Sequence, residues 1–199
     1  VLWASVQFLG TAHVGSDVTI HTEILHNGRR AKHARATILA NGRPIHVISG
    51  SLGCLETPDA ATYFKMPNVP SPGASTLWNV NLNPVPDNLI SKIDIRDAGS
   101  DPDTGIGYLW FRSTDGLPMS ASWLAVLADF MPAPHPKTNK CTSLDNVLRV
   151  HKLVESEWVL GECRVSEYRN GYFHGDINLF AEDGTLLATG NQTGLQWGT

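Results

Sequence analysis

The feature that most restricts this chain is a set of tight-turn signals between strand-like runs, repeated once at a nearly constant interval. "HNGRR", "ANGRP", "YRNGY" and "AEDGT" place Asn-Gly or Asp-Gly between apolar and β-branched segments. These residues tolerate positive φ, so each turn marks two antiparallel neighbours. Gly42 and Gly184 stand 142 residues apart, Gly28 and Gly171 stand 143 apart, and at the same interval "ASVQFL" falls on "NVLRVH". A duplicated antiparallel unit accounts for this order. Its first copy holds "SVQFL", "DVTIHTEIL", "HARATIL" and "PIHVIS"; its second holds "NVLRVHKL", "WVLGECRV", "HGDINLF" and "LLATGNQ", with "GYLWF" ahead of them.

Between the copies, "ETPDAATYFKMPNVPSPGASTLWNVNLNPVPDNL" contains six of the 12 prolines and reads as a linker. The expected boundaries are a first repeat over 1–56, a Pro-rich linker over 57–90 and a second repeat over 91–199. "LPMSASWLAVLADFM" predicts a helix over about 118–131, with Pro118 tolerated at its start and Pro132 closing its end. The counterpart of that helix would fall before Val1. The first repeat is therefore expected to lack its N-terminal helix in this chain, and the native protein to carry a segment ahead of Val1.

Composition narrows the function. The chain of 199 residues is 42% hydrophobic and 17% charged with a net charge of -4, which fits an ordinary soluble globular protein. A cytoplasmic location is expected, because "VLWASVQFLG" lacks a signal peptide's basic start and cleavage site, and no run approaches the ~18 apolar residues of a membrane span. The acidic balance argues against nucleic acid as a partner, and only "GRRAKHAR" is locally basic. Cys54, Cys141 and Cys163 show no C-x-x-C spacing and read as buried thiols. "VTIHTEILH" has no metal-ligand spacing, so neither a metal nor another cofactor is expected. The chain has no Gly-x-Ser-x-Gly elbow, and "GSDPDTGIGY", with Pro102, reads as a loop rather than a nucleotide-binding turn.

One residue breaks the helical pattern. Asp129 in "WLAVLADFMP" places a carboxylate near a helix C-terminus, the wrong end of the macrodipole, in an apolar neighbourhood. Burial and the helix end would both disfavour its charge, making it a better proton acceptor. Capping a nearby loop or pairing with a cation is the plain alternative.

The order of motifs resembles that of acyl-CoA thioesterase II and related thioesterase-like proteins. "LWASVQFLGTAHVGSDVTIHTEILHNGRRAKHARATILANGRPIHVISGSL" is similar to the first half of that family. "WLAVLADFMP", "CTSLDNVLRVH", "SEWVLGECRV" and "AEDGTLLATGNQTG" are similar to the second. The resemblance implies an α+β double hotdog, two repeats of a long antiparallel sheet wrapped around a central helix. It also implies an Asp at the end of the second helix, a hydroxyl residue on the next strand and a Gln on the last strand, which together activate a water. These fall on Asp129, Ser143 and Gln192. Ser143 departs from the usual Thr; Thr142, one residue away, would face the other side of a strand. At the 142 interval Gln192 corresponds to Gly50 and Ser143 to Val1, so one working site is expected.

The resemblance thus implies a hydrolase acting on acyl-CoA or another acyl thioester, with double units pairing into a homodimer. A hotdog dehydratase or isomerase using His135 or His151 on a polyketide-like substrate is a second reading. A non-catalytic acyl binder is a third. "HNGRRAKHAR", with Arg29, Arg30, Lys32 and Arg35, reads as a solvated hairpin that could also meet coenzyme A phosphates.

Overall fold

The computed structural model describes residues 1–53, 61–78 and 88–196; Cys54 and Trp197 lie outside the described residues. The part of the chain expected as the first repeat carries β1 (Trp3–Phe8), β2 (Val18–Asn27), β3 (Lys32–Ala40) and β4 (Arg43–Leu52). The spacer carries a two-residue strand, β5 (Thr76–Leu77), followed by β6 (Ile93–Asp101) and β7 (Ile106–Ser113). Next come α1 (Ala121–Ala128), β8 (Cys141–Ser143) and β9 (Asp145–Val150), then β10 (Val159–Arg169), β11 (Tyr172–Ala181) and β12 (Leu186–Gln196).

The expected hairpins form. Asn41-Gly42 and Asn170-Gly171 both take positive φ, at 50° and 76° and at 52° and 81°, the backbone a two-residue hairpin turn demands. Asn27 instead ends β2 ahead of a wider turn and pairs with Lys32. "GSDPDTGIGY", expected as a loop, is a strand end plus a turn: β6 runs to Asp101 and pairs back with β7 through Ile106. Pro102 sits in the turn, where it donates to no ladder.

All strands join one antiparallel sheet in the order β2-β3-β4-β1-β9-β12-β11-β10-β7-β6-β5, with β8 added onto β12. The order mirrors itself about the β1–β9 pair: β4 answers β12, β3 answers β11 and β2 answers β10. Within that pair Ser5 lies opposite Val147. These positions are 142 residues apart, the interval at which the turn signals recur in the sequence.

The helix is shorter than its apolar period. It was expected over about 118–131 but spans Ala121–Ala128, starting where Ser120 Oγ accepts from the Trp123 N–H at 3.1 Å. Beyond Ala128, the N–H groups of Asp129, Phe130 and Met131 bond three residues back, so the apolar run continues as tight turns into Pro132. Trp123, Leu124, Leu127 and Ala128 bury the helix against Leu109, Phe111, Ile177, Leu179 and Leu187 of the second repeat. On the opposite sheet face Trp110, Trp158 and Phe180 form a smaller cluster with Met66 and Val69 of the spacer. The Trp110 indole N–H donates to Pro70 O at 2.9 Å, fixing the spacer to that face.

Among the described residues, the buried members of both hydrophobic clusters all lie at Ile93 or beyond. β2 is exposed along its whole length, with Ile20 at 60% and Ile24 at 69%, whereas its counterpart β10 is covered on one edge by β7. Among the described residues, no helix is long and apolar enough to cross a membrane.

Candidate active site

Three elements bring polar side chains to the end of α1. The helix lies close to β12 because Gly190 presents no side chain: a Cβ there would stand 2.9 Å from Val147 O, 3.1 Å from Ile177 Cγ2 and 3.5 Å from Ala128 Cβ. Two residues on, on the same face of the strand, is Gln192. β8 is pinned to β12 by the pairing of Ser143 with Gly194, and Asp145 Oδ1 accepts the Thr193 N–H at 2.7 Å.

The resulting geometry centres on one oxygen. Gln192 Nε2 donates to Asp129 Oδ1 at 2.8 Å, Ser143 Oγ donates to it at 3.3 Å and Asn146 Nδ2 at 3.4 Å. Gln192 Nε2 also donates to Ser143 Oγ. All the hydrogen bonds that reach the Asp129 carboxylate from described residues end on Oδ1. Gln192 is 2% exposed and Asn146 7%, and Gln192 Oε1 is a buried acceptor without a partner among the described residues.

The structure thus brings Asp129, Ser143 and Gln192 together, and it is Ser143 that reaches the carboxylate. It corrects the expected burial of Asp129. The residue is exposed, on the same helix face as Ser122 and Ala125. The helix packs its other side on the sheet, so Asp129 stays at the surface rather than buried as the apolar run suggested.

Sequence reasoning missed Asn146. Its signal was the period-2 pattern of "DNVLRV": Asn146, Leu148 and Val150 share one strand face, so a polar residue there points where apolar ones are buried.

Asp129 and Asn146 line a cavity of about 750 Å³ between α1, the inner face of β1 and the segments around Trp78 and Phe130. Its wall is largely apolar, including Ala4, Val6, Ile48 and Val126, with Ser5, Asn88, Thr138 and Asn139 as further polar members. Trp78 and Phe130 meet edge to face, with ring centroids 6.3 Å apart. Cys141 also lines it, half-buried rather than buried as expected. Burial first, and the Asp129 charge second, push its thiol up to about 11, so it stays protonated near neutrality.

The other candidates lie elsewhere. The ring of His135 accepts the Lys137 N–H at 3.2 Å, and His151 bonds Thr189 Oγ1 at 3.1 Å across a hollow on the outer sheet face; neither lines the cavity. The "HNGRR" hairpin joins β2 and β3, the strands furthest from β9 in the first repeat, and borders its own shallow hollow.

Among the described residues, a large antiparallel sheet packed against one short α-helix fits the hotdog fold. The chain is similar in structure to a hot dog fold protein from Alicyclobacillus acidocaldarius, at 20% identity and a TM-score of 0.86 over 100% of this chain and 79% of that one. It is also similar to a candidate thioesterase from Novosphingobium aromaticivorans, at 31% identity and a TM-score of 0.88 over 99% of this chain and 79% of that one. The acyl-CoA thioesterase II of Mycobacterium marinum matches at 18% identity and a TM-score of 0.78, over 97% and 79%. No curated protein sequence matches the chain. Residues 57–196 match the family described as acyl-CoA thioesterase C-terminal domain. The chain belongs to the acyl-CoA thioesterase family, a family of thioester hydrolases.

Proposed function

We propose that this chain hydrolyses acyl-CoA thioesters with a water activated by Asp129, in a double-hotdog arrangement whose second repeat supplies the reacting groups. The observation that carries the reading is the convergence of Ser143, Asn146 and Gln192 on Asp129 Oδ1, beside an apolar cavity suited to an acyl chain.

Three donors hold Oδ1 and fix the carboxylate plane. Oδ2 takes a proton from water as the water oxygen attacks the thioester carbonyl carbon, forming a tetrahedral intermediate. The C–S bond then breaks, leaving a carboxylic acid and a thiol, and the proton held by Asp129 passes to the departing sulfur. Gln192, 2% exposed, acts by holding Asp129 through its Nε2 donor. The protonated Cys141 is unsuited to attack, so no acyl-enzyme is invoked.

The double form is supported by the mirrored strand order and the Ser5–Val147 pair at the repeat interval. The proposed boundaries remain 1–56, 57–90 and 91–199, with β5 tying the end of the spacer to the second repeat. The first repeat contributes cavity wall through Ala4, Val6 and Ile48.

The test follows thiol release from acyl-CoA esters of several chain lengths. A hydrolase releases stoichiometric thiol. An intact thioester with a changed acyl group would indicate the dehydratase or isomerase reading, and tight binding of a thioester analogue without thiol release would indicate a binder.

A further inference from the structure

The cavity needs a mouth that accepts the polar part of a thioester, and one stretch of its wall is flanked by basic residues. Asp129 is the only Asp, Glu, Lys or Arg among the described lining residues. The wall continues from the reaction site along β8 through Cys141 and into the loop before it, where Asn139 and Thr138 also line the cavity. Lys137 and Lys140 flank these residues, and both are exposed. From Phe130 to Leu144 the chain carries these two lysines, His135 and no acid. Lys92, two residues beyond the lining residue Ile90, is already paired with Asp115 at 3.5 Å, whereas neither Lys137 nor Lys140 forms an ion pair with a described residue.

The loop is held in place. Thr138 is fully buried and donates from Oγ1 to Pro132 O at 2.7 Å, while the backbone N–H groups of Thr138 and Asn139 both reach His135 O at 3.1 Å. The lysines therefore stand on a fixed rim and not on a loose tail. Ser143 and Lys140 are three residues apart, roughly 10 Å of extended chain. The pantetheine arm between a thioester and the nearest phosphate is longer than this span when extended, so it would run along β8 partly folded, with the long lysine side chains reaching to the phosphates.

We propose that Lys137 and Lys140 form the recognition rim for the pyrophosphate and 3′-phosphate of coenzyme A, with the pantetheine arm lying along β8 past Cys141. This rests on the thioesterase reading and adds to it the side from which the thiol half of the substrate enters. It also removes the "HNGRR" hairpin from that task.

Titration calorimetry of the wild type and the double variant K137E/K140E, with free coenzyme A and with phosphate-free pantetheine, tests the rim without turnover. The affinity for coenzyme A is expected to fall about 10-fold relative to that for pantetheine at low salt, and the difference to shrink by about half an order of magnitude at high salt. K137Q/K140Q should give a smaller loss of the same kind. Equal coenzyme A affinities in wild type and variant, or an equal loss for both ligands, would overturn the proposal. Coenzyme A binding that depends on the lysines in a protein that releases no thiol from acyl-CoA would instead refute the hydrolase reading and leave the rim standing.

Discussion

Replacing Gln192 with Leu separates stability from activity in a way that only this site geometry requires. The side chain is 2% exposed, donates to Asp129 at 2.8 Å and carries a buried acceptor without a partner among the described residues. Losing a hydrogen bond to a charged group costs about 1.5–3 kcal/mol, while removing an unsatisfied buried acceptor recovers about 1–3 kcal/mol. The two nearly cancel for an apolar side chain of similar size. Folding stability should therefore change by no more than about 1 kcal/mol in urea unfolding. Activity has no such compensation. Without its shortest tether the carboxylate is free to turn, and the same 1.5–3 kcal/mol taken from the transition state lowers kcat about 10- to 150-fold with little change in KM. Thiol release under saturating acyl-CoA measures this directly. A variant that unfolds several kcal/mol more easily would make Gln192 a structural residue, and one with normal kcat would detach it from the chemistry.

Other expectations follow from neighbouring contacts. Gly190→Ala sets a Cβ 2.9 Å from the backbone oxygen of Val147, which cannot yield without disturbing β9; a loss of about 1–3 kcal/mol in urea unfolding, with reduced thiol release, is expected, and wild-type stability would contradict the close approach of helix and strand. With its thiol pushed up to about 11 from an ordinary 9.0, Cys141 should react with a thiol reagent at pH 8 about 100-fold more slowly than an unperturbed cysteine; it should speed up in Asp129→Asn, and an ordinary rate in the wild type would show the site wetter than described. Asp94 is held below the usual carboxylate range mainly by its hydrogen bond from Arg96, with Arg112 adding to it. A depressed folded value means that its stabilisation is present above the unfolded carboxylate range and disappears as pH falls through the folded value. The stability gap between wild type and Asp94→Asn should therefore narrow between about pH 5 and about pH 3, and a constant gap would contradict the ion pairs.

The parts of this fold that could be read in the sequence are those dictated by local backbone chemistry. Asn41-Gly42 and Asn170-Gly171 adopt the positive φ values that their residue types favour, and the strands they join pair as expected. Partner-dependent features were harder. β2 carries apolar residues enough to be buried, yet it is exposed throughout, because the pattern records a capacity to pack and not what lies opposite. The helix reads too long because apolar spacing continues through Met131, although hydrogen bonding has already tightened after Ala128. At the site, an Asp interrupting an apolar helix end was conspicuous, but its exposure depends on which helix face the sheet takes. Asn146 was hidden by the opposite effect: Asn usually signals a turn, and its meaning emerged only once its strand face was known.

The proposed mechanism requires Asp129 Oδ2 to remove a proton from the attacking water. Asp129→Asn keeps the shape of the side chain and removes the basic oxygen, so thiol release from acyl-CoA by the folded variant is the direct measurement. A fall in kcat of about 100-fold or more, with coenzyme A binding retained, is the predicted result. An Asn variant that turns over as fast as the wild type would contradict the mechanism, whatever the positions of Ser143, Asn146 and Gln192.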